Sequence, residues 1–137
     1  MAKKTLFRWN TRELKAAVQR ELQRMPEKAK RAMDGVGGYL NGEVRKRTPV
    51  DEGNLTASIT NETVEYRKSS ATVIYVPSNA PSAPYAIAMH ENNYQLGEDS
   101  EKKQSKTGKV VGKKYISRAI DENRNRIVSI IKREMEV

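Results

Sequence analysis

The 137-residue sequence contains no cysteine, a single histidine, one tryptophan and one phenylalanine. Without cysteine there is no disulfide, no thiolate metal site and no cysteine nucleophile, which suits folding in a reducing cytoplasm. With one histidine, the helical zinc pattern of two histidines four apart cannot form: after His90-Glu91 the position it needs is Tyr94. No apolar run approaches the ~20 residues that span a bilayer, and Met-Ala-Lys-Lys leads into polar sequence where a secretory leader would carry an apolar core. The chain therefore reads as soluble and unprocessed, with no membrane partner. Only 36% of residues are hydrophobic and 31% are charged, so the expected core is lean and open to stabilisation by partner subunits.

What the sequence has in quantity is positive charge, with a net +9 that is unevenly spread. Residues 1–48 carry 13 Lys and Arg against 5 Asp and Glu, residues 49–97 carry 2 against 5, and residues 98–137 carry 11 against 7. Lys3, Lys4, Arg8, Arg12, Lys15, Arg20 and Arg24, with Arg45, Lys46 and Arg47, could neutralise phosphates or meet an acidic protein surface. No zinc finger, aromatic RNA-binding motif or basic zipper accompanies them. A small basic nucleic-acid-binding module is therefore the alternative function.

Hydrophobic spacing places the elements. Thr11 is a fitting N-cap, and Leu14, Val18, Leu22 and Met25 recur at helical spacing up to Pro26, where the first helix is expected to end. A second helix, with Pro26 at its first position, should run through Met33, Val36, Leu40 and Val44 to about Lys46 or Arg47, because Pro49 biases Thr48 away from helix. Gly35, Gly37, Gly38 and Gly42 within it imply close packing against a sheet or a local break, packing being the favoured reading. Beyond the turn residues Thr48, Pro49, Asp51, Gly53 and Asn54, the alternation of Leu55, Ala57 and Ile59 predicts strands over 54–66 and 71–77, joined by a polar turn. The proline-rich stretch 77–84 is a loop, and Tyr85–Met89 is a strand or a helical turn. Residues 92–110 are polar and charged and read as a long exposed loop. Helical spacing resumes from Ile116 to Glu134. The expected architecture is one α+β domain over residues 1–137, with a short N-terminal arm at 1–10, amphipathic N-terminal helices and a C-terminal helix packed on a small antiparallel sheet.

Reaction chemistry finds no support. Asp51 and Glu52 are neighbours on a turn and point apart, unlike a general acid–base pair. The glycines at 35–38 follow a helix and lack the spacing of a phosphate loop. No catalytic group, cofactor or metal is expected, and the chain reads as a non-enzyme.

Three segments resemble a known family. TPVDEGNLTASI at 48–59 resembles the TPVDTGxLxxSI signature of phage tail components, the small neck, tail-completion and head–tail joining proteins of tailed bacteriophages. Tyr85–Glu91 is similar to that family's YAxxxE segment, and Gly112–Ile120 to its G-K-x-F-L-x-x-A-L stretch. Residues 11–135 are covered in order, the matched positions being Leu55, Ser58, Ile59, Tyr85, Ala86, Glu91, Gly112, Tyr115, Ile116 and Ala119. Glu52 departs from the usual Thr, and Asn-Asn follows Glu91 in place of a Gly-Thr turn. The resemblance implies a structural protein of the virion, assembled in the bacterial cytoplasm. It implies a sixfold or twelvefold ring at the head–tail junction, against the portal, adaptor or stopper and the tail tube, close to the DNA in the channel. Arg8, Arg12, Lys15, Arg20, Arg45, Lys46 and Arg47 on the helices and Glu98, Lys102, Lys103 and Lys106 in the loop are the expected partner or subunit contacts.

Overall fold

The computed structural model of the chain describes residues 11–50 and 53–136. Its first element is one helix, α1 (Thr11–Arg45), with Pro26 inside it. The expected break at Pro26 is absent. A proline removes one backbone hydrogen bond, freeing the carbonyl four residues earlier. Here Met25 and Glu27 on either side are exposed, so water can satisfy that carbonyl while the second half of the helix is held by its core contacts. Among the described residues of α1 the buried apolar ones begin at Ala32 and continue through Val36, Leu40 and Val44, the four-residue spacing of one helix face.

After the junction, Asn54–Ser58 forms one short helix, α2, where a strand was expected. Leu55 and Ile59 are four apart, a spacing that puts both on one side of a helical turn as readily as on one face of a strand. Ala57 decides between the two, because it is exposed while Leu55 and Ile59 are buried. The hairpin follows as β1 (Thr60–Tyr66) and β2 (Ser69–Tyr75), antiparallel in register from Thr60 opposite Tyr75 to Tyr66 opposite Ser69. Its bounds are thus 60–66 and 69–75, in place of 54–66 and 71–77. One face of the hairpin lies on α1. Asn41 donates to the carbonyl of Ile59 (3.1 Å) and to Asn61 (2.8 Å), and Thr63 donates to Asp34.

Four helices complete the chain. Tyr85–Met89 falls within α3 (Ala83–Glu91), followed by α4 (Glu98–Thr107) where the exposed loop was expected. That segment has no apolar stripe, yet its charges suit a helix: Glu98, Asp99 and Glu101 occupy the first turn, Lys106 the last, and Gly108 closes it at φ 70. The expected single C-terminal helix divides into α5 (Tyr115–Glu122) and α6 (Arg124–Met135). Asn123 makes the break, accepting from the Tyr39 hydroxyl (2.6 Å) and donating to the Ala119 carbonyl (2.8 Å) and Glu43 (3.2 Å).

Two apolar clusters hold these elements. Val36 and Leu40 pack with Ile130 of α6, and Val44 packs with Leu55, Ile59, Ala86, Tyr115 and Ala119. The result is α+β, with a two-stranded sheet against helices. The helix glycines divide by position: a Cβ on Gly37 would lie 2.5 Å from the Thr72 hydroxyl and 3.0 Å from Asn61, whereas one on Gly38 would meet nothing within 4 Å. Gly37 is therefore one of the points where helix and hairpin touch. In urea unfolding, Gly37→Ala should lower stability by about 1–3 kcal/mol through overpacking. Gly38→Ala should raise it by up to ~1 kcal/mol through helix propensity.

Candidate functional site

The junction that leaves α1 is built from polar groups turned inward. Thr48 and Pro49 are buried, and Gly53 takes the left-handed conformation at φ 79. The Thr48 hydroxyl donates to the Arg45 carbonyl (3.0 Å) and lies 2.6 Å from the Thr56 hydroxyl. From α4, the Lys103 ammonium donates to the Thr48 carbonyl (2.7 Å), the Thr48 hydroxyl (2.9 Å) and the Thr56 hydroxyl (3.3 Å). Buried Ser100, one turn earlier, accepts from the Val50 amide (2.8 Å). Helix α4 is thereby clamped over the junction, and loss of water around Lys103 pulls its pKa down to about 8.

Arg47 is 0% exposed. Its guanidinium donates to the Glu43 carbonyl (2.6 Å) and carboxylate (3.3 Å), and through two nitrogens to Glu122 (3.3 and 2.8 Å). Its own carbonyl accepts from the Gly112 amide (2.8 Å). Gly112 sits at φ 114, and a Cβ there would press on Leu96 (3.1 Å) and the Tyr94 hydroxyl (3.3 Å). Burial pushes the Glu43 carboxyl up, but hydrogen bonds from Lys46, Arg47 and Asn123, with the charge of Lys46, outweigh it and hold the group below its ordinary value.

The positions expected to carry the family resemblance largely meet in one place. Leu55, Ile59, Ala86, Tyr115 and Ala119 share a cluster with Val44, and Tyr85 and Ile116 pack against it. The Tyr115 hydroxyl donates to the Ala86 carbonyl (2.7 Å), and burial, with a smaller effect from Tyr94, raises its pKa to about 12. At the rim, Glu91 accepts from Lys114 (2.6 Å) and pairs with His90, and these hydrogen bonds lower its pKa. His90 stands edge-on to Tyr115 and accepts from the Ser117 amide (3.4 Å), so it joins α3 to α5. Ser58 donates within α2, to the Asn54 carbonyl (2.6 Å). No group of three or more His, Cys, Asp or Glu that could hold a metal occurs among the described residues.

The expected contact residues separate into two sets. Arg47 and Lys103 face inward, because each supplies donors that buried carbonyl or carboxylate groups require, so neither is an outer contact. Arg45 donates to the Ile59 carbonyl (3.3 Å), and Lys46 pairs with Glu43 (2.6 Å). Arg12, Lys15 and Arg20 are exposed on the first half of α1, and Glu98, Lys102 and Lys106 form an exposed ridge on α4. Arg8, Asp51 and the N-terminal arm lie outside the described residues. Sequence reading missed Ser100, Asn123 and Glu122, whose polar side chains carry no pattern until their partners are placed. It also missed an open groove of about 830 Å³ beside α3, lined by Val76, Pro84, Ile87 and Ile116. Within α3, Ile87 is exposed while Ala86 beside it is buried.

The polar clusters around Arg47, Thr48 and Asn123 join one element to another. The family described as "Bacteriophage HK97-gp10, putative tail-component" matches residues 12–88, more than half of the chain. The chain belongs to this family of structural phage tail components. Searches of curated proteins and of solved structures found no match.

Removing one partner of a buried ion pair leaves the other uncompensated, so Arg47→Met should cost about 3 kcal/mol in urea unfolding. Glu122→Gln should cost less, about 1 kcal/mol, because that carboxylate is 40% exposed. Lys103 predicts a pH effect. Its folded pKa of about 8 lies below the ordinary 10.5, so the protonated amine opposes folding and its contribution grows more favourable as pH rises from 8 toward 10.5. The stability advantage of the native chain over Lys103→Met should therefore be larger at pH 9.5 than at pH 7.5, both values bracketing the lower end of that window.

Proposed function

We propose that this tail component forms a homo-oligomeric ring at the head–tail junction, a neck or tail-completion piece joining the portal–adaptor–stopper assembly to the tail tube. The observation that carries the reading is the presence of two unlike apolar surfaces on one chain. Val64, Tyr66 and Val73 are exposed on the face of the hairpin turned away from α1, while Val18 and Met25 are exposed on the first half of α1. A ring needs such a pair, because each subunit meets its neighbour through a different patch on either side. Docking is then the whole mechanism. The basic first half of α1 meets an acidic surface or the DNA in the channel, and the ridge Glu98, Lys102 and Lys106 meets the adjoining ring.

Electron micrographs of phage particles made without this chain test the proposal. Filled heads and finished tails that fail to join are expected, and joined infectious particles would overturn it. Steeply salt-dependent binding of duplex DNA by the unassembled chain would favour the nucleic-acid module instead, since phosphate neutralisation releases counterions.

A further inference from the structure

The groove beside α3 is mainly apolar, with Ser78, His90, Glu91 and Ser117 as its polar lining, and is open to solvent. Val76 after β2, Pro84 and Ile87 of α3 and Ile116 of α5 line it, above the core residues Ala86 and Tyr115. Ile87 is 77% exposed, the most exposed large hydrophobic side chain among the described residues. At about 830 Å³ the groove lies within the size range of clefts that enclose several apolar groups, roughly 300–1,000 Å³.

One segment of the sequence has matching chemistry. Leu6-Phe7-Arg8-Trp9 holds the chain's only phenylalanine and only tryptophan, just ahead of α1. Each of those aromatics can bury roughly 150–250 Å². Covalent reach decides whose groove they can enter. At no more than ~3.6 Å per residue, Trp9 stays within about 7 Å of Thr11 and Leu6 within about 18 Å. The groove is built on residues that pack with Val44, which lies about 50 Å along α1 from Thr11 at 1.5 Å per residue. Even a right-angle bend at Pro26 would leave about 35 Å. The groove of the same chain is out of reach.

We propose that Leu6, Phe7 and Trp9 of one chain fill the groove beside Ile87 of a second copy. The proposal rests on the self-association in the ring reading and adds the residues that make the contact. It is heterologous, the start of α1 on one copy meeting α3 on the next, and so it propagates around a closed ring.

Trp9 reports on the contact directly, being the only tryptophan. In the assembled full-length protein its emission should be blue-shifted. Ile87→Glu, a change at an exposed side chain, should return the emission to that of a solvent-exposed indole and reduce the assembled mass. Phe7→Cys and Ile87→Cys chains, mixed under mild oxidation, should give a mixed disulfide dimer, with no native cysteine to compete. Assembled protein with solvent-exposed Trp9 and no mixed dimer would overturn the proposal while the ring reading stands. A chain that stays monomeric at every concentration would overturn the ring reading and this contact with it. A Phe7→Cys/Ile87→Cys double variant that closes its disulfide within one chain would overturn the assignment to a second copy.

Discussion

The buried guanidinium of Arg47 is the interaction on which the other elements depend. A charge removed from water is tolerated only when its donors are met, and meeting them fixes several elements at once. Glu43 anchors the group to the last turn of α1, Glu122 draws in the end of α5, and the Arg47 carbonyl holds the Gly112 amide ahead of α5. Thr48, the next residue, receives α4 through Lys103. Three C-terminal pieces are thus positioned from two successive residues. The same polarity explains why so lean an apolar core suffices, because the clusters around Val44 and Leu40 need to align only one side of each helix.

That arrangement divides α1 into two parts with different tasks. From Ala32 onward the helix is the spine of the body, touched by the hairpin at Gly37 and by α6 at Val36 and Leu40. Before that, Val18 and Met25 are exposed among exposed cations. An isolated amphipathic helix is marginal in water, since its stability comes mainly from packing of the apolar face. In the ring proposed above, contact with another subunit would cover Val18 and Met25.

The sequence made the α+β class, the basic helix, the hairpin and the helix-ending role of Pro49 legible, because each rests on local periodicity or backbone restriction. It did not reveal α4, whose attachment is polar. Ser100 and Lys103 are unremarkable until Val50 and Thr48 are placed beside them, and composition reads such a segment as loop. Nor did it separate strand from helical turn at 54–58, where Leu55 and Ile59 satisfy both periods. Positive charge was a poor guide to exposure for a related reason. Arg47 and Lys103 are cations like Arg45 and Lys102, and only the buried acceptors around them decide which pair turns inward.

The distribution of the family-matching residues bears on what membership can mean for function. Thr48, Leu55, Ile59, Ala86, Tyr115 and Ala119 spend their side chains inside the fold, on the cluster around Val44 or on the clamp to α4. The family match ends at residue 88, yet Glu122, Lys103 and Gly112, which complete the surroundings of Arg47 and Thr48, lie beyond it. Within the matched segment Arg47 keeps Glu43 as a partner, and Glu122 from α5 adds the second carboxylate that completes its hydrogen bonds. In the ring reading proposed above, partner choice falls to what the scaffold leaves outside: the basic half of α1, the outer face of the hairpin, the ridge of α4 and the groove at Ile87.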